Sequence, residues 1–292
     1  MNERSAQLRA LIEQPGIVVL PGAYDCLSAR LAEQAGFETV FTTGFGFAAS
    51  ALGVPDLGLM TASEILDRVH NIVNSVSVPL VADMDTGYGN PLNVIRTVSE
   101  CVSLGVAGII LEDQEWPKKC GHLEGKRVIP MEDHVQKLRA AVDARGDSGL
   151  VIIARTDSRA VLGLDAALER GHAYYEAGAD VVFIEAPQSM DELHAIAKAF
   201  PHAPLFANMI EGGKTPVLSP DALAEIGFKI VVYPLSSLFS AARAMQHVYK
   251  ALKEHGTTGT ITDMTTLDEF TECVNVGQFR AWEKQYATPG SG

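Results

Sequence analysis

"PLVADMDTG", residues 79 to 87, opens on a short apolar run and ends in two aspartates, a threonine and a glycine. The run has no polar alternation that would leave one face wet, and it stops in turn-forming residues. Those properties describe a strand buried on both faces rather than a helix. Seven further runs share the pattern: "IVVLPGAYD" from Ile17, "TVFTTG" from Thr39, "GIILEDQ" from Gly108, "VIIARTD" from Val151, "VVFIEAP" from Val181, "PLFANM" from Pro204 and "IVVYPL" from Ile230. Segments of helical period lie between them, among them "CLSARLAEQAG", "VIRTVSECVSLG", "MEDHVQKLRAAVDAR", "GLDAALERGHAYYEAG" and "SMDELHAIAKAF". Gly36, Gly105 and Gly178 stand where a helix C-terminus wants a left-handed residue. Eight strands alternating with crossover helices predict an α/β protein, a (β/α)8 TIM barrel in preference to an open doubly wound sheet.

The barrel accounts for residues 1–255. Residues 256–292 contain "TTLDEFTECVNVGQFRAWEKQYA", a helical pattern beyond what eight units need, expected to pack on the barrel or on a neighbouring subunit. The last residues, "TPGSG", read as a frayed tail. With 292 residues, 47% of them hydrophobic, the chain can bury a large core. Its net charge of -13 and lack of a dense basic run argue against nucleic acid or an anionic membrane as partner. No apolar run approaches the roughly 18 residues of a membrane span, and the N-terminus reads as an amphipathic helix without a signal core. Cys26, Cys101, Cys120 and Cys273 lack zinc or disulfide spacing. A cytoplasmic protein with reduced thiols is expected.

In such barrels the chemistry sits at the C-terminal strand ends and the loops beyond. Here those ends carry Tyr24 and Asp25, Thr43, Asp83 and Asp85, Glu112 and Asp113, Arg155 to Asp157, Glu185, Asn208 and Tyr233. Each alone reads most simply as a helix cap. Together they converge. Asp83 and Asp85, two apart on a strand, point to one side, and Glu112 follows on the next strand, so three carboxylates crowd one rim. Like charges that close call for a cation, and oxygen-only ligation suits Mg²⁺, with Mn²⁺ as substitute, better than zinc. Arg155 offers a bidentate fork for a substrate carboxylate or an ion pair to Glu185 or Asp157. After strand seven, Asn208, the N–H groups near Gly212 and the Thr215 hydroxyl form a second anion receptor or an ordinary glycine loop.

About 17 residues separate Glu112 from the helix that starts near Met131, against roughly two to six in most such loops. The segment holds "PKKCGH" at residues 117 to 122. A buried structural cysteine fits poorly among so many charges; a zinc site lacks partners, and a redox thiol lacks a resolving cysteine. An acid–base catalyst on a closing lid fits best, with Lys118, Lys119 and His122 expected to lower the Cys120 pKa.

The ordered motifs "GAYDCLSARLAEQAGF", "LGVPDLG", "DMDTGYGN", "LEDQ", "PKKCGH", "IARTD", "FIEA", "ANMIEGGKTP" and "YPLS" resemble the isocitrate lyase and phosphoenolpyruvate mutase superfamily along nearly the whole chain. The resemblance implies a barrel whose C-terminal helix is exchanged between subunits, commonly in a homotetramer. It implies metal-site carboxylates at Asp83 and Asp85, supported by Asp56 and Glu112. It places Thr43, Gly44, Arg155, Glu185 and Asn208 at the substrate, with Cys120 and Gly121 in a gating loop and Cys120 as proton donor. Tyr24 or a metal-bound water would handle the hydroxyl proton, since Phe41 stands where methylisocitrate lyases have Tyr. Phe239 stands where they have Arg. With Phe45 it implies a small anionic 2-hydroxy dicarboxylate bearing alkyl groups, because a third carboxylate in an apolar wall costs several kcal/mol. The implied activity is Mg²⁺-dependent carbon–carbon cleavage of an alkyl-malate or 2-methylisocitrate-like acid to a 2-oxoacid. The alternatives are a carboxyphosphonoenolpyruvate or phosphoenolpyruvate mutase type of phosphonate chemistry, and hydrolysis or decarboxylation of oxaloacetate.

Overall fold

A computed structural model of the chain describes residues 2–287, so the expected tail at 288–292 lies outside the described residues. The eight runs form eight strands: β1 (Val18–Ala23), β2 (Val40–Thr42), β3 (Leu80–Asp83), β4 (Gly108–Glu112), β5 (Val151–Thr156), β6 (Val181–Ile184), β7 (Leu205–Asn208) and β8 (Ile230–Tyr233). They close into a barrel in sequence order, and β1 pairs parallel with β8 through Val18 opposite Ile230. Every residue of β4 and β5 is buried, as their unbroken apolar runs require.

The inward side chains Leu20, Phe41, Val81, Ile110, Ile153, Phe183, Phe206 and Val232 fill the barrel, and Leu8 of the N-terminal helix Glu3–Glu13 joins the same cluster. Outward-facing strand residues such as Ile109, Leu111 and Ile152 pack against the helix ring, with Val94, Val98 and Leu138 among their partners. The helices match the sequence pattern, Met131–Arg145 end to end. Gly36, Gly105 and Gly178 take φ of 90°, 80° and 101°, the left-handed geometry expected of them.

The chain divides into two compact units, Met1–Leu238 and the residues from Phe239 onward. The division falls inside the long helix Ser236–His255. Within that helix Ser237 donates to the Gly22 carbonyl of β1 at 2.7 Å, whereas only Ala251 of the later turns is buried. In the second unit the pattern at 265–287 becomes two helices, Leu267–Cys273 and Val276–Gln285, broken at Asn275, whose φ is 58°. Among the described residues no helix is long and apolar enough to cross a membrane.

Candidate active site

At the C-terminal end of the barrel lies a cavity lined by the polar residues Thr43, Asp56, Asp83, Lys118, Cys120, Arg155, Glu185 and Asn208 and by the apolar residues Phe41, Phe45, Ile210, Val232, Pro234 and Leu235. Its floor is the last layer of the barrel core, where Phe183 and Phe206 pack 4.7 Å apart and the Arg155 guanidinium lies 5.3 Å above the Phe183 ring.

Asp83 and Asp85 do converge, but not through strand periodicity. Strand β3 ends at Asp83, and Asp85 sits in the following turn with φ 49°, a left-handed conformation that Asp tolerates. Its backbone N–H donates to Asp83 Oδ1 at 3.2 Å, and Tyr88, also left-handed, donates its hydroxyl to Asp85 Oδ2 at 3.2 Å. A Cβ on Gly44 would meet Asp83 Oδ2 at 3.2 Å and Asp85 Oδ1 at 3.4 Å, so both carboxylates reach the glycine that begins the turn after β2.

The expected four-carboxylate metal set does not close into one cage. Among the described residues no group of three or more His, Cys, Asp or Glu side chains is arranged to grip an ion. Two cationic side chains already pair with members of the set. Lys118 places its ammonium 2.6 Å from Asp56 and 2.7 Å from Asp85, and Glu112 turns one oxygen to Arg155 Nε at 3.2 Å. The donors nevertheless fit a hard divalent cation. Burial pushes the Asp85 carboxyl up to about 6; Lys118 opposes that rise and Asp83 and Asp56 add to it. A cation at Asp83 and Asp85 would relieve that crowding, and two carboxylates with waters and substrate are a common magnesium arrangement. Glu112, raised well above the usual carboxylate range by burial, keeps one oxygen without a hydrogen bond among the described residues.

Strands β5 and β7 supply Arg155 and Asn208, and Glu185 directly follows β6. Arg155 gives Asp157 a two-pronged contact through Nε and Nη2 at 2.8 and 3.1 Å, and the same Nη2 is 3.9 Å from Glu185. The ion pair and a place on the cavity wall therefore hold at once. Asn208 donates to both Glu185 oxygens at 3.2 and 3.3 Å. Burial alone would raise Glu185, but Arg155 and the His122 ring hold it down at about 2. Asp113, a strand-end residue with no cavity face, is instead a buried anchor. It accepts from Arg170, Tyr174 and Thr156 at 2.7 to 2.8 Å and from the Asp157 backbone N–H at 2.9 Å.

The segment from Asp113 to Pro130 is a flap with a narrow neck, bridged antiparallel between Gln114 and Val128 and by Glu115 N–H to the Arg127 carbonyl at 2.8 Å. It lies over the cavity. The Cys120 N–H meets the Asp56 carbonyl at 3.2 Å, and Gln114 grips both backbone groups of Lys119 at 2.8 and 2.9 Å. Gly121 has an ordinary φ, yet a Cβ there would fall 2.1 Å from Glu185 Oε1 and 2.6 Å from Arg155 Nη2. The glycine is required by this close approach.

Several expectations are corrected. The Cys120 thiol is raised to about 11, not lowered. Burial is the main cause, opposed by the His122 backbone N–H and Arg155 and reinforced by the Asp56 and Glu185 carboxylates; the lysines meant to activate it are turned elsewhere, Lys118 to the aspartates and Lys119 to the Gly125 carbonyl at 3.0 Å. Tyr24 does not line the cavity; its ring packs against the outer apolar cluster, because β1 turns away there into the capped helix Cys26–Gln34. The loop after β7 receives the lid instead of forming a free anion cup. Lys214 N–H donates to His122 Nδ1 at 2.9 Å, and His122 Nε2 is 3.3 Å from Glu185; Ile210 of that loop lines the cavity, but Gly212 and Thr215 do not. Phe239 is 41% exposed on the helix of the second unit. Ile210, Pro234 and Leu235 as wall residues, and Lys126 as a buried one, carry no local signal that separates them from ordinary loop residues.

A barrel with a carboxylate pair, an arginine on an aromatic floor and a thiol on a flap belongs to the enzymes that handle small organic acids. The chain is a member of the phosphoenolpyruvate phosphomutase family, which it matches over residues 8–253, within the PEP mutase/isocitrate lyase superfamily. It is 45% identical to 2,3-dimethylmalate lyase of Eubacterium barkeri, over 97% of this chain and 98% of that one. It is 46% identical to the chloroplastic carboxyvinyl-carboxyphosphonate phosphorylmutase of Arabidopsis thaliana (95% and 83%) and 41% identical to 2-methylisocitrate lyase of Bacillus subtilis (98% and 94%). Among solved structures, a 2,3-dimethylmalate lyase superposes with a TM-score of 0.94 at 37% identity, covering 99% and 97% of the chains. A phosphonopyruvate hydrolase in complex with oxalate and Mg²⁺ does so with 0.88 at 32%, covering 99% and 100%.

Proposed function

We propose that the protein is a magnesium-dependent carbon–carbon lyase that splits an alkyl-substituted malate, or a closely similar 2-hydroxy dicarboxylate, into a 2-oxoacid and a carboxylate. The observation that carries this reading is the thiol of Cys120, kept protonated on a flap over a cavity lined by both charged and apolar side chains. A protonated thiol at that place is a general acid waiting for a carbanion.

Mg²⁺, held by Asp83 and Asp85 with Mn²⁺ as substitute, would supply Lewis-acid polarisation of the 2-oxygen. Arg155, steadied by Asp157 and Phe183, holds a substrate carboxylate. Beside the metal-holding Asp83, the Asp56 and Glu185 carboxylates line the cavity and are acceptors for the 2-hydroxyl proton, as Phe41 has no polar group and Tyr24 does not line it. When the bond between the hydroxyl-bearing and adjacent carbons breaks, its electron pair stays on the fragment that carries the second carboxylate. The Cys120 Sγ–H then protonates that carbon, and the seated flap keeps water from doing so. Phe41, Phe45, Ile210, Val232, Pro234 and Leu235 suit methyl groups and would leave a third carboxylate unpaired.

Cys26, Cys101 and Cys120 form no disulfide, as suits a reducing compartment such as the cytoplasm. Exposed Leu267, Phe270, Phe279 and Trp282 in the C-terminal helices support assembly as a homo-oligomer, a tetramer with exchanged helices on the superfamily pattern. The test is a panel of malates, alkyl-malates and 2-methylisocitrate with Mg²⁺, read by lactate dehydrogenase-coupled 2-oxoacid formation. Release from alkyl-malates above malate and the tricarboxylate supports the proposal; no 2-oxoacid from any of them rejects it. The 46% identity to a relative named as a phosphorylmutase favours one second reading, phosphonate chemistry, which ³¹P NMR of phosphonopyruvate-type substrates would detect.

A further inference from the structure

Five charged side chains, Lys118, Lys119, Glu124, Lys126 and Arg127, crowd the flap, and a solvated loop would keep them all in water. Two do not stay there. Lys118, before Cys120, ends on the metal-site aspartates, and Lys126, after it, is 8% exposed and equally removed from solvent. Lys126 donates to the Gly121 carbonyl, within the flap, and its ammonium lies 3.2 Å from Asp157 Oδ1 on the barrel rim. That Asp157 carboxylate also receives both prongs of Arg155. Its backbone N–H is fixed by the buried Asp113, so it cannot follow the flap if the flap lifts. One carboxylate is thus shared between the guanidinium that faces the cavity and the ammonium that ties down the peptide beside Cys120.

Resting on the lyase reading above, we propose that Lys126 and Asp157 form a positioning pair that seats the flap. The closed flap is thereby registered against the same carboxylate that orients Arg155. Lys126 touches no reacting atom; it holds the Gly121 carbonyl, and through it the direction of the Cys120 thiol. Burying an ammonium is costly without its partner, so an open flap with Lys126 in water and a closed flap with Lys126 on Asp157 are the two favourable states. The ion pair makes closure all-or-none. The neighbouring Arg127 pairs with Glu115 at the surface, where the two side chains are 74% and 47% exposed, and has no such role.

Amide hydrogen exchange measures seating without a substrate, so it stands whether or not the lyase reading does. Lys126→Met should speed exchange across residues 118–127 by at least roughly ten-fold while leaving β5, at 151–156, at the wild-type rate. Arg127→Met should change neither. Asp157→Asn removes the same pair from the other side and should open the same residues, which serves if Lys126→Met does not fold. With an alkyl-malate that the enzyme cleaves, Lys126→Met should lower kcat by at least about ten-fold with KM changed by less than about three-fold. Unchanged protection of 118–127 in Lys126→Met, equal opening in Arg127→Met, or loss of protection spread over β5 as well would each overturn the proposal. If no substrate is cleaved, the lyase reading fails and the exchange result still decides the pair.

Discussion

The Lys118 ammonium lies 2.7 Å from Asp85 Oδ1, at the place where a divalent cation would draw on the same carboxylate. Burial would lower Lys118, but Asp85, Asp56 and Asp83 together raise it well above the usual lysine range, so it enters the site as a cation. A divalent cation held by Asp83 and Asp85 would therefore draw on a carboxylate that already pairs with a flap lysine. Closing the flap over a loaded site brings positive charge to the aspartates from two directions, and an anionic substrate between them is what makes that arrangement favourable.

Asp85→Asn should abolish most turnover, at least roughly 100-fold, and weaken Mg²⁺ binding measured by calorimetry by at least about ten-fold. In the wild type, Asp85 takes up a proton as pH falls through about 6, so Mg²⁺ affinity should fall below that pH. The Asn variant should lose this dependence. Chelation should stop turnover, with recovery on adding Mg²⁺ or Mn²⁺. Full activity in the presence of excess chelator would rule out the metal.

Cys120→Ser should lower kcat by roughly 100-fold or more while KM moves little, because the thiol acts in proton transfer. Burial raises the thiol to about 11, and the acid form is the active one. Activity should therefore show no decline from Cys120 as pH rises through the ordinary thiol range near 9, only on approach to about 11. A pH–rate profile that falls with a midpoint near 9 would contradict the buried setting.

Gly121→Ala tests flap contact directly. The added methyl meets Glu185 and Arg155 at 2.1 and 2.6 Å, both held in buried ion pairs, so the flap must lift. Turnover should drop by roughly 100-fold with the melting temperature nearly unchanged, since the strain is relieved by opening. A variant with wild-type kcat would show that the seated flap is not the working state.

His134 packs edge-on against Tyr174 at 4.6 Å, and burial first, then Lys137 and Arg170, lower its pKa to about 3. The unfolded chain protonates near 6.5 and the folded chain does not, so between those values the unfolded state binds more protons. The stability held above about 6.5 is lost as pH falls toward 3, by a few kcal/mol. Urea unfolding of His134→Phe between about pH 7 and pH 4 should show a shallower loss than the wild type. Parallel slopes would mean that His134 is not the group responsible.

The amino-acid sequence by itself determined the barrel. Strands such as Gly108–Glu112 and Val151–Thr156 are buried on both faces, so each is an unbroken apolar run, and the helices between them carry their own caps and left-handed glycines. It also determined which residues stand at the strand ends, because chain direction in a parallel barrel sends them all to one rim. Tertiary structure alone decided what they do to one another. Asp85 reaches Asp83 through a left-handed turn, Tyr24 leaves the site, and Asp113 sinks behind it to hold Asp157. Cys120 gains its pKa from burial under its own flap, while Lys118 and Lys126 find different aspartates. Those outcomes depend on desolvation and on distances of a few ångströms between residues far apart in the chain, which spacing along a sequence does not encode.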